Sequence, residues 1–302
     1  MHPYFSTVKL GAVDIGSNAI RLLISRVIPI DSNNIQFKKV EFIRIPLRLG
    51  DDVFSGGKIG KEKQELFLMT INAFKLILDI HKVKYYRACA TSAMREAKNG
   101  RELVEKAHKK FGLKVEIISG ELESELIHKS VVYDSPQTGN YLNVDVGGGS
   151  TEITIIRDHK VVNSQSFPIG SVRLKEGKVT AEVWEEMQAW VQKHIEPGSH
   201  SIAIGTGGNI NKLYEMVAGK SNEPISYSQL ENLYNEIAAL SITDRIYKLK
   251  LNPDRADVID HAARIYLSIM KWAEINKIYS PNAGLKDGLI LELWEKYKNV
   301  AL

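Results

Sequence analysis

A scarcity of cysteine is the first constraint that the sequence sets. The 302 residues include one cysteine, Cys89, so the chain cannot form an internal disulfide framework, and a reducing compartment suits it. Low-complexity tracts and blocks of like charge are also missing, which argues against long disordered segments. With 44% hydrophobic and 25% charged residues, the chain has ample material for a buried core. We therefore expect a folded cytoplasmic protein, and its length favours two domains.

Uninterrupted apolar runs that could cross a membrane are missing as well. The apolar stretch at residues 8–30 contains Asp14, Asn18, Arg21 and Arg26, which are too many polar side chains for a spanning helix. We expect no secretory signal before it. The net charge of +4 is spread along the chain, without the dense basic stripe that is typical of nucleic-acid binding. We therefore expect no membrane and no nucleic acid as partners, whereas a small or linear polyanion is compatible with the charge.

An internal repeat organises the chain. The segments VKLGAVDIGSNAIRLLISRVI (residues 8–28) and YLNVDVGGGSTEITIIRDHKVV (residues 141–162) share one plan: an apolar strand, Asp-x-Gly, small polar residues and a second strand. The aspartates Asp14 and Asp145 lie 131 positions apart, which is close to half the chain. Two related domains are the simplest account. Helical and strand patterns alternate elsewhere, so we predict an α/β fold whose sheets are partly antiparallel.

Local patterns predict several further elements. Residues 62–80 are predicted to form a helix, and residues 83–90 and 113–119 are predicted to form strands. Residues 91–112 are helical in their later part, with Gly112 as the C-terminal cap. Further helices are expected at 120–134 and 180–195, and loops at 134–140 and 196–199. The apolar face of the helix at 62–80 is predicted to consist of Leu66, Met69, Ala73, Leu76, Ile77 and Ile80.

Three glycine-rich loops follow apolar segments: DIGSN (14–18), DVGGGST (145–151) and GTGGN (205–209). Glycine permits positive φ and close backbone approach, so such a loop can direct several N–H groups at one anion. A single loop of this kind is equally suited to a hairpin turn, but three at strand ends favour a phosphate site. None of them is a Walker A loop, and none has the spacing of a dinucleotide fingerprint.

Carboxylates accompany two of these loops. Asp14 and Asp145 end apolar strands, where a bare carboxylate is costly unless a cation or donors are present. Bracing its own loop and contacting a metal are open alternatives for Asp14. Asp145 is expected to hold Mg²⁺ through water, because hard oxygen ligands suit that ion. Glu152 is the next carboxylate within reach, although a strand residue there could also face solvent.

In these motifs the sequence resembles the exopolyphosphatase and guanosine pentaphosphate phosphohydrolase family, within the actin, Hsp70 and sugar-kinase superfamily. The resemblance implies two actin-like (ribonuclease H-like) domains with mixed sheets, residues 1–124 and 125–302, and an active site in the cleft between them. It leaves the last helix able to pack back on the first domain, and no C-terminal HD-type domain is expected. The matching segments cover nearly the whole chain: AVDIGSNAIRLLI, ACATSAMREAKNG, IISGELESELIHKSV, VDVGGGSTEITI, SFPIGSVRL, AIGTGGNINKL, RADVI and GLKDGLI.

The resemblance also implies roles for individual residues. Glu123 corresponds to the general base, whereas the residues alone do not separate it from Glu121 and Glu125. Arg95 is assigned to a phosphate oxygen, for which a guanidinium is well shaped. From its place on the second loop, rather than from the resemblance, Glu152 is assigned to catalysis and, together with Asp145, to the metal. The implied phosphate-binding residues are Asp14, Gly16, Ser17, Asn18, Gly147, Gly148, Gly149, Ser150, Thr151, Gly207 and Gly208, and the sequence departs from the family by Ser124 in place of alanine and Asn209 in place of threonine.

The implied activity is hydrolysis of the terminal phosphoanhydride of inorganic polyphosphate, with Mg²⁺ or another divalent cation as cofactor. Hydrolysis of guanosine pentaphosphate by the same residues is the closest alternative. A superfamily kinase or ATPase would need a nucleoside pocket around GTGGNINKL, and a non-catalytic phosphate sensor is a further alternative. The residues leave the oligomeric state open, and a homodimer is compatible with them.

Overall fold

The structure is a computed structural model that describes residues 8–30, 35–134, 140–158, 160–196, 202–219, 221, 223–281 and 283–301. The chain forms two compact units. The first consists of Met1–Ser119 with Leu285–Leu302, and the second of Gly120–Gly284. Each unit contains one mixed sheet with helices, which confirms the predicted α/β class with mixed sheets.

The first unit is built on a five-stranded sheet in the order β3-β2-β1-β4-β5. Its strands are β1 (Lys9–Ile15), β2 (Ile20–Pro29), β3 (Ile35–Ile45), β4 (Tyr85–Ala90) and β5 (Glu116–Ile117). β2 pairs antiparallel with both β1 and β3, whereas β4 pairs parallel with β1 and β5. The helices before residue 119 are α1 (Leu49–Gly56), α2 (Lys61–Ile80), α3 (Ser92–Glu96) and α4 (Gly100–Phe111).

The second unit is built on a six-stranded sheet in the order β10-β11-β9-β6-β7-β8. β6 pairs antiparallel with β7 and parallel with β9. The strands are β6 (Tyr141–Val146), β7 (Thr151–Arg157), β8 (Lys160–Phe167), β9 (Ile202–Thr206), β10 (Ile225–Ser226) and β11 (Lys277–Tyr279). The helices are α5 (Gly120–Asp134), α6 (Ser171–Lys175), α7 (Ala181–His194), α8 (Gly208–Ala218), α9 (Tyr227–Ala239), α10 (Ile242–Tyr247), α11 (Pro253–Ala256) and α12 (Ile259–Trp272).

The internal repeat is confirmed in the strand pairing. β1 and β6 hold the same position: each has an antiparallel partner on one side, β2 or β7, and a parallel partner on the other, β4 or β9. The turn in each of the first two glycine loops is closed by an equivalent backbone hydrogen bond. The Gly16 N–H donates to the Ala19 carbonyl at 3.1 Å, and the Gly147 N–H donates to the Ser150 carbonyl at 2.9 Å.

The division between the units lies between Ser119 and Gly120. The boundary predicted from the sequence was a few residues later, between residues 124 and 125. The reason is that α5 packs on β7 and β8 and its first residue, Gly120, lies against Ser166 of β8, so its first turn belongs with the second sheet. A Cβ on Gly120 would lie 3.0 Å from the Cβ of Ser166, so glycine lets the start of α5 approach β8 closely. The last helix, α13 (Leu285–Ala301), lies against β1, β2 and β4 of the first unit.

The helix predicted at 62–80 forms as α2, but its buried face differs from the predicted apolar face. Phe67, Ile71, Phe74 and Leu78 are buried. The helix is apolar on two sides, which the periodicity alone does not separate, and the packing selects the side with the phenylalanines. The exposed side carries four of the six residues of the predicted face, namely Leu66, Met69, Leu76 and Ile80.

The other local predictions agree more closely with the structure. The strand predicted at 83–90 forms as β4, and α4 is capped by Gly112 with a φ of 71°. The strand predicted at 113–119 is shorter and includes Glu116 and Ile117 alone. Most of the loop predicted at 134–140 and of that at 196–199 lies outside the described residues. Among the described residues, no helix combines the length and the apolar character that crossing a bilayer requires.

Alternation along β6 and β7 divides the second sheet into two chemically different faces. Leu142, Val144 and Val146 belong to the apolar core of this unit, together with Ile153 and Ile155. The residues between them, Asn143 and Asp145 on β6 and Glu152 and Thr154 on β7, are therefore on the opposite face. All four are buried polar residues, so the polar side chains of these two strands are gathered on one buried face.

Cys89 provides a test of the first unit. Its side chain is fully buried in β4, and burial raises the pKa of the thiol to about 12. Since the thiolate is the reactive form, we expect the native protein to resist a disulfide-exchange reagent at pH 8. Unfolding in guanidinium should release one reactive thiol per chain, measured by absorbance. Rapid and complete labelling without denaturant would contradict this packing of β4.

Candidate active site

Three buried carboxylates meet on the polar face of the second sheet. One oxygen atom from each of Glu123, Asp145 and Glu152 lies within 4.8 Å of the others. Asp145 and Glu152 are direct cross-strand partners on β6 and β7, and the first turn of α5 supplies Glu123. Their exposed fractions are 8% for Glu123, 8% for Asp145 and 2% for Glu152. The predicted metal pair is therefore brought together, and Glu123 joins it. We call these residues the carboxylate cluster.

Burial separates Glu123 from its two acidic neighbours. Glu121 is exposed, and the side chain of Glu125 is 60% exposed with an oxygen 3.5 Å from the Lys129 ammonium. The sequence alone did not distinguish these three glutamates. The structure places Glu123 in the carboxylate cluster and leaves Glu121 and Glu125 at the surface of α5.

Hydroxyl groups hold two members of the cluster. The Thr206 hydroxyl donates to Oδ1 of Asp145 at 2.6 Å, and the Ser166 hydroxyl donates to Oε1 of Glu152 at 2.8 Å. Thr206 is the register partner of Asp145 on β9, and Ser166 is that of Glu152 on β8. The sequence did not predict a role for Thr206 or Ser166, although Thr206 lies in the third glycine loop, directly before Gly207.

The cluster fits a divalent cation. Close like charges in a buried setting destabilise the ionised forms, and a cation relieves that repulsion. Carboxylate oxygens are the ligands that hard ions such as Mg²⁺ and Ca²⁺ take in proteins. Asp145 and Glu152 lie side by side on rigid strands, so they could hold such an ion without rearranging the backbone.

The second glycine loop, residues 147–150, is held from one side by the start of α6. The Gly147 carbonyl accepts from the Ser171 N–H at 3.0 Å, and the Gly148 carbonyl accepts from the Val172 N–H at 2.9 Å. The Gly149 carbonyl accepts from Nε of Arg173 at 2.8 Å. In a trans peptide unit the N–H points opposite to the carbonyl. The N–H groups of the next residues in turn, Gly148, Gly149 and Ser150, therefore point away from α6, as an anion-binding loop requires.

The close contact between this loop and α6 depends on Gly170. A Cβ at this position would lie 2.4 Å from the carbonyl carbon and oxygen of Gly148 and 2.5 Å from the Gly149 nitrogen. The Thr151 hydroxyl adds a bond to the Ile169 carbonyl at 2.6 Å. The segment SFPIGSVRL matched the family pattern, but its role in supporting the loop was not predicted from the sequence.

The third glycine loop lies beside the second. Gly207 has a φ of 105°, and a Cβ there would lie 3.1 Å from the Val146 carbonyl oxygen and 3.4 Å from Oδ1 of Asp145. Gly208 begins α8. The distance to Asp145 makes Gly207 its direct neighbour. The Asn209 amide donates to the Ser171 hydroxyl at 3.4 Å, so the residue that departs from the family pattern contacts α6, the helix that supports the second loop.

The first glycine loop, in the first unit, differs in its electrostatics. Nη1 of Arg21 donates to Oδ2 of Asp14 at 2.8 Å, and the two residues are cross-strand partners on β1 and β2. Neither alternative considered for Asp14 included this ion pair, which the register of a β-hairpin could have suggested. Ser17 is buried with its hydroxyl 2.8 Å from that of Ser92, and the Asn18 carbonyl accepts from the Arg48 N–H at 2.9 Å.

Arg95 lies in α3 and is half-buried. Its Nη1 donates to the Ile118 carbonyl at 2.7 Å, so part of the guanidinium holds the chain just after β5. The phosphate contact assigned to Arg95 stays a prediction.

Comparison with known proteins agrees with this arrangement. A family model described as the Ppx/GppA phosphatase family matches residues 30–297. The chain belongs to this family. The match begins after the first glycine loop, and it includes all three carboxylates and both later loops.

Two Ppx/GppA relatives illustrate the range of names in the family. A Vibrio parahaemolyticus protein named guanosine-5'-triphosphate,3'-diphosphate pyrophosphatase is 25% identical over 306 residues, which cover 97% of this chain and 61% of that protein. A Mycobacterium bovis protein named exopolyphosphatase 1 is 25% identical over 311 residues, which cover 94% of this chain and 88% of that protein. The chain thus spans less than two thirds of the length of the Vibrio relative.

Solved structures of Ppx/GppA proteins share the fold. An Aquifex aeolicus family member matches with a TM-score of 0.77 at 25% identity, over 97% of this chain and 99% of that one. An exopolyphosphatase from Cytophaga hutchinsonii matches with a TM-score of 0.83 at 25% identity, over 95% of this chain and 98% of that one. These matches confirm the predicted actin-like architecture.

Gly170 offers a test of how the second loop is supported. In Gly170→Ala the new Cβ collides with backbone atoms of the loop, and such overpacking typically costs about 1–3 kcal/mol. We expect a lower melting temperature and weaker hydrogen-exchange protection of the Ser171 and Val172 amides, which donate to the loop carbonyls. Gly284→Ala is the matched control, because nothing lies within 4 Å of a Cβ there. Equal behaviour of the two variants would contradict the close approach of α6 to the loop.

Proposed function

We propose that this protein is an exopolyphosphatase, which removes the terminal phosphoryl group of inorganic polyphosphate by in-line attack of water. The observation that carries the proposal is the buried carboxylate cluster next to a glycine loop whose N–H groups point to one side. Membership of the Ppx/GppA phosphatase family and the names of the Mycobacterium and Cytophaga proteins support it. The name of the Vibrio protein supports guanosine pentaphosphate as the alternative substrate for the same residues.

Phosphate binding is assigned first to the second loop. The N–H groups of Gly148, Gly149 and Ser150 would donate to oxygens of the substrate, each bond to a charged group contributing about 1.5–3 kcal/mol. Gly147 supplies the turn that orients them. The remaining phosphate-binding assignments are those implied by the family resemblance, namely Asp14, Gly16, Ser17, Asn18, Thr151, Gly207, Gly208 and Arg95.

Asp145 and Glu152 are assigned to a divalent cation, with Mg²⁺ as the proposed ion. When bound, this ion would supply electrostatic stabilisation of the charge on the phosphoryl oxygens. The hydroxyl bonds from Thr206 and Ser166 would keep the two carboxylates in place. Asp14 is a weaker candidate for the metal, because it pairs with Arg21.

Glu123 is assigned as the general base. A bond forms between the water oxygen and the terminal phosphorus, the bridging P–O bond breaks, and the water proton passes to a carboxylate oxygen of Glu123. The shortened chain leaves with the bridging oxygen. Phosphoryl transfer demands little covalent chemistry of the protein, so positioning and charge stabilisation carry most of the rate. Arg95 is proposed to offset charge that develops on the transferred group.

Two further assignments stay proposals. A cytoplasmic location is proposed because the free thiol of Cys89 suits a reducing compartment. A homodimer remains compatible with the sequence. A superfamily kinase or a non-catalytic sensor is less well supported, because a family named as phosphatases and a buried carboxylate cluster both favour hydrolysis.

A comparison of substrates tests the proposal. The protein would be incubated with Mg²⁺ and, in parallel, long polyphosphate, tripolyphosphate, guanosine pentaphosphate and ATP, and phosphate release would be measured. We expect the fastest release from polyphosphate and loss of release when the metal is chelated. Preferred release from guanosine pentaphosphate would favour the alternative substrate, and release from none of the four would contradict hydrolysis.

A pair of variants on α5 tests the base. Glu123→Gln keeps the size of the side chain but cannot accept the proton, and general-base assistance typically contributes about 10²- to 10⁴-fold. We expect kcat to fall by at least about 10²-fold. Glu125→Gln is the control, because Glu125 is exposed on the same helix, and it should retain near-wild-type kcat. Near-full phosphate release by a folded Glu123→Gln variant would contradict the assignment.

A further inference from the structure

A buried tyrosine connects the two strands that carry the second and third glycine loops. Tyr266 lies on α12 and is 1% exposed. Its hydroxyl donates to the Thr206 carbonyl at 2.5 Å and accepts from the Val146 N–H at 3.2 Å. Val146 directly follows Asp145, and Thr206 directly precedes Gly207.

The hydroxyl acts at the point where β6 and β9 separate. The register of this parallel pair ends at Asp145 and Thr206, and beyond it the two strands turn into their loops. The N–H of Val146 and the carbonyl of Thr206 would otherwise need other partners in a buried environment. Tyr266 supplies one hydroxyl that satisfies both, so it extends the strand pairing by one step.

The same end of the sheet carries Asp145, the carboxylate that is assigned to the metal. The Thr206 side chain donates to Oδ1 of Asp145, while its backbone carbonyl is held by Tyr266. A chain of hydrogen bonds therefore runs from Tyr266 through Thr206 to Asp145. The bond to the Val146 N–H fixes the neighbouring residue of Asp145 on the other strand.

The hydroxyl of Tyr266 is favoured in its protonated form. Full burial first, and then the negative charge of Asp145, raises the pKa of Tyr266 well above its usual value. At neutral pH the hydroxyl is therefore a donor to Thr206.

We propose that Tyr266 is a positioning residue for the metal-binding carboxylate Asp145, acting through Thr206 and the Val146 backbone. The inference rests on the proposed metal role of Asp145. Partners that orient metal ligands in this indirect way typically contribute about 10- to 100-fold in metal affinity. A tyrosine that merely filled the core would contribute to stability and leave metal affinity unchanged.

Tyr266→Phe removes the hydroxyl and retains the ring, so it separates the two possibilities. Tyr214→Phe is the matched control, because Tyr214 is in the same core and its hydroxyl donates to a backbone carbonyl, that of Glu223, at 2.7 Å. The readout is Mn²⁺ affinity, measured by titration without substrate in an electron paramagnetic resonance or calorimetric experiment. We expect the Kd for Mn²⁺ to rise about 10-fold or more in Tyr266→Phe and to stay within about twofold in Tyr214→Phe.

A second position guards against poor folding of Tyr266→Phe. Thr206→Val is nearly isosteric and breaks the link to Asp145, so it should weaken Mn²⁺ binding similarly, whereas Thr206→Ser keeps a hydroxyl and should restore much of the affinity. Wild-type Mn²⁺ affinity in folded Tyr266→Phe, or in Thr206→Val should Tyr266→Phe not fold, would overturn the proposal, as would a wild-type protein that binds no Mn²⁺. If the wild type binds Mn²⁺ but releases no phosphate from any substrate, the proposed function fails while a selective effect of Tyr266→Phe still supports the positioning role.

Discussion

The close approach of three buried carboxylates is the electrostatic constraint that the rest of the site has to satisfy. Two unit charges 4.8 Å apart repel by roughly 3.5 kcal/mol at an effective dielectric constant of about 20. The oxygen atoms of the carboxylate cluster lie within that distance of one another, so ionising all three side chains together is costly. Hydrogen bonds partly offset this cost. The Thr206 hydroxyl donates to Asp145 and the Ser166 hydroxyl donates to Glu152, and strand register places both hydroxyls. A divalent cation would offset the remainder. With its carboxylates ionised and no cation bound, such a cluster would destabilise the fold, and electrostatic strain of this kind is typical of functional sites.

The two halves of the repeat differ in the charge that lies opposite the aspartate at the strand end. Asp14 and Asp145 are equivalent strand residues, and their cross-strand partners, Arg21 and Glu152, are likewise 131 positions apart. In the first unit the partner is a cation, so the aspartate is neutralised within the chain. In the second unit the partner is another carboxylate, so the pair gathers negative charge. One difference in residue type at one register position thus separates an aspartate paired with an arginine from a pair of carboxylates that could hold a cation.

The sequence predicted what depends on local pattern, and missed what depends on distant contacts. The repeat, the glycine loops and the proximity of Asp145 to Glu152 follow from a strand–loop–strand motif, and the structure confirms them. The buried side of α2 could not be predicted, because the helix is apolar on two faces and only packing selects one. Tyr266 contacts the site from a remote helix, so no local signal marked it, and the matching segment SFPIGSVRL did not reveal that Gly170 supports the second loop. Glu123 was separable from its neighbours only once the start of α5 was seen against β7 and β8.

A crystal structure grown with Mn²⁺ and recorded at a wavelength where manganese scatters anomalously would test the carboxylate cluster most directly. We predict one anomalous peak bound by oxygens of Asp145 and Glu152, with Glu123 adjacent to it. Distances near those of a hard cation to oxygen, about 2.0–2.6 Å, should accompany the peak. A well-occupied ion elsewhere, with the three carboxylates hydrogen-bonded to one another through shared protons, would contradict the view that this cluster exists to hold a cation.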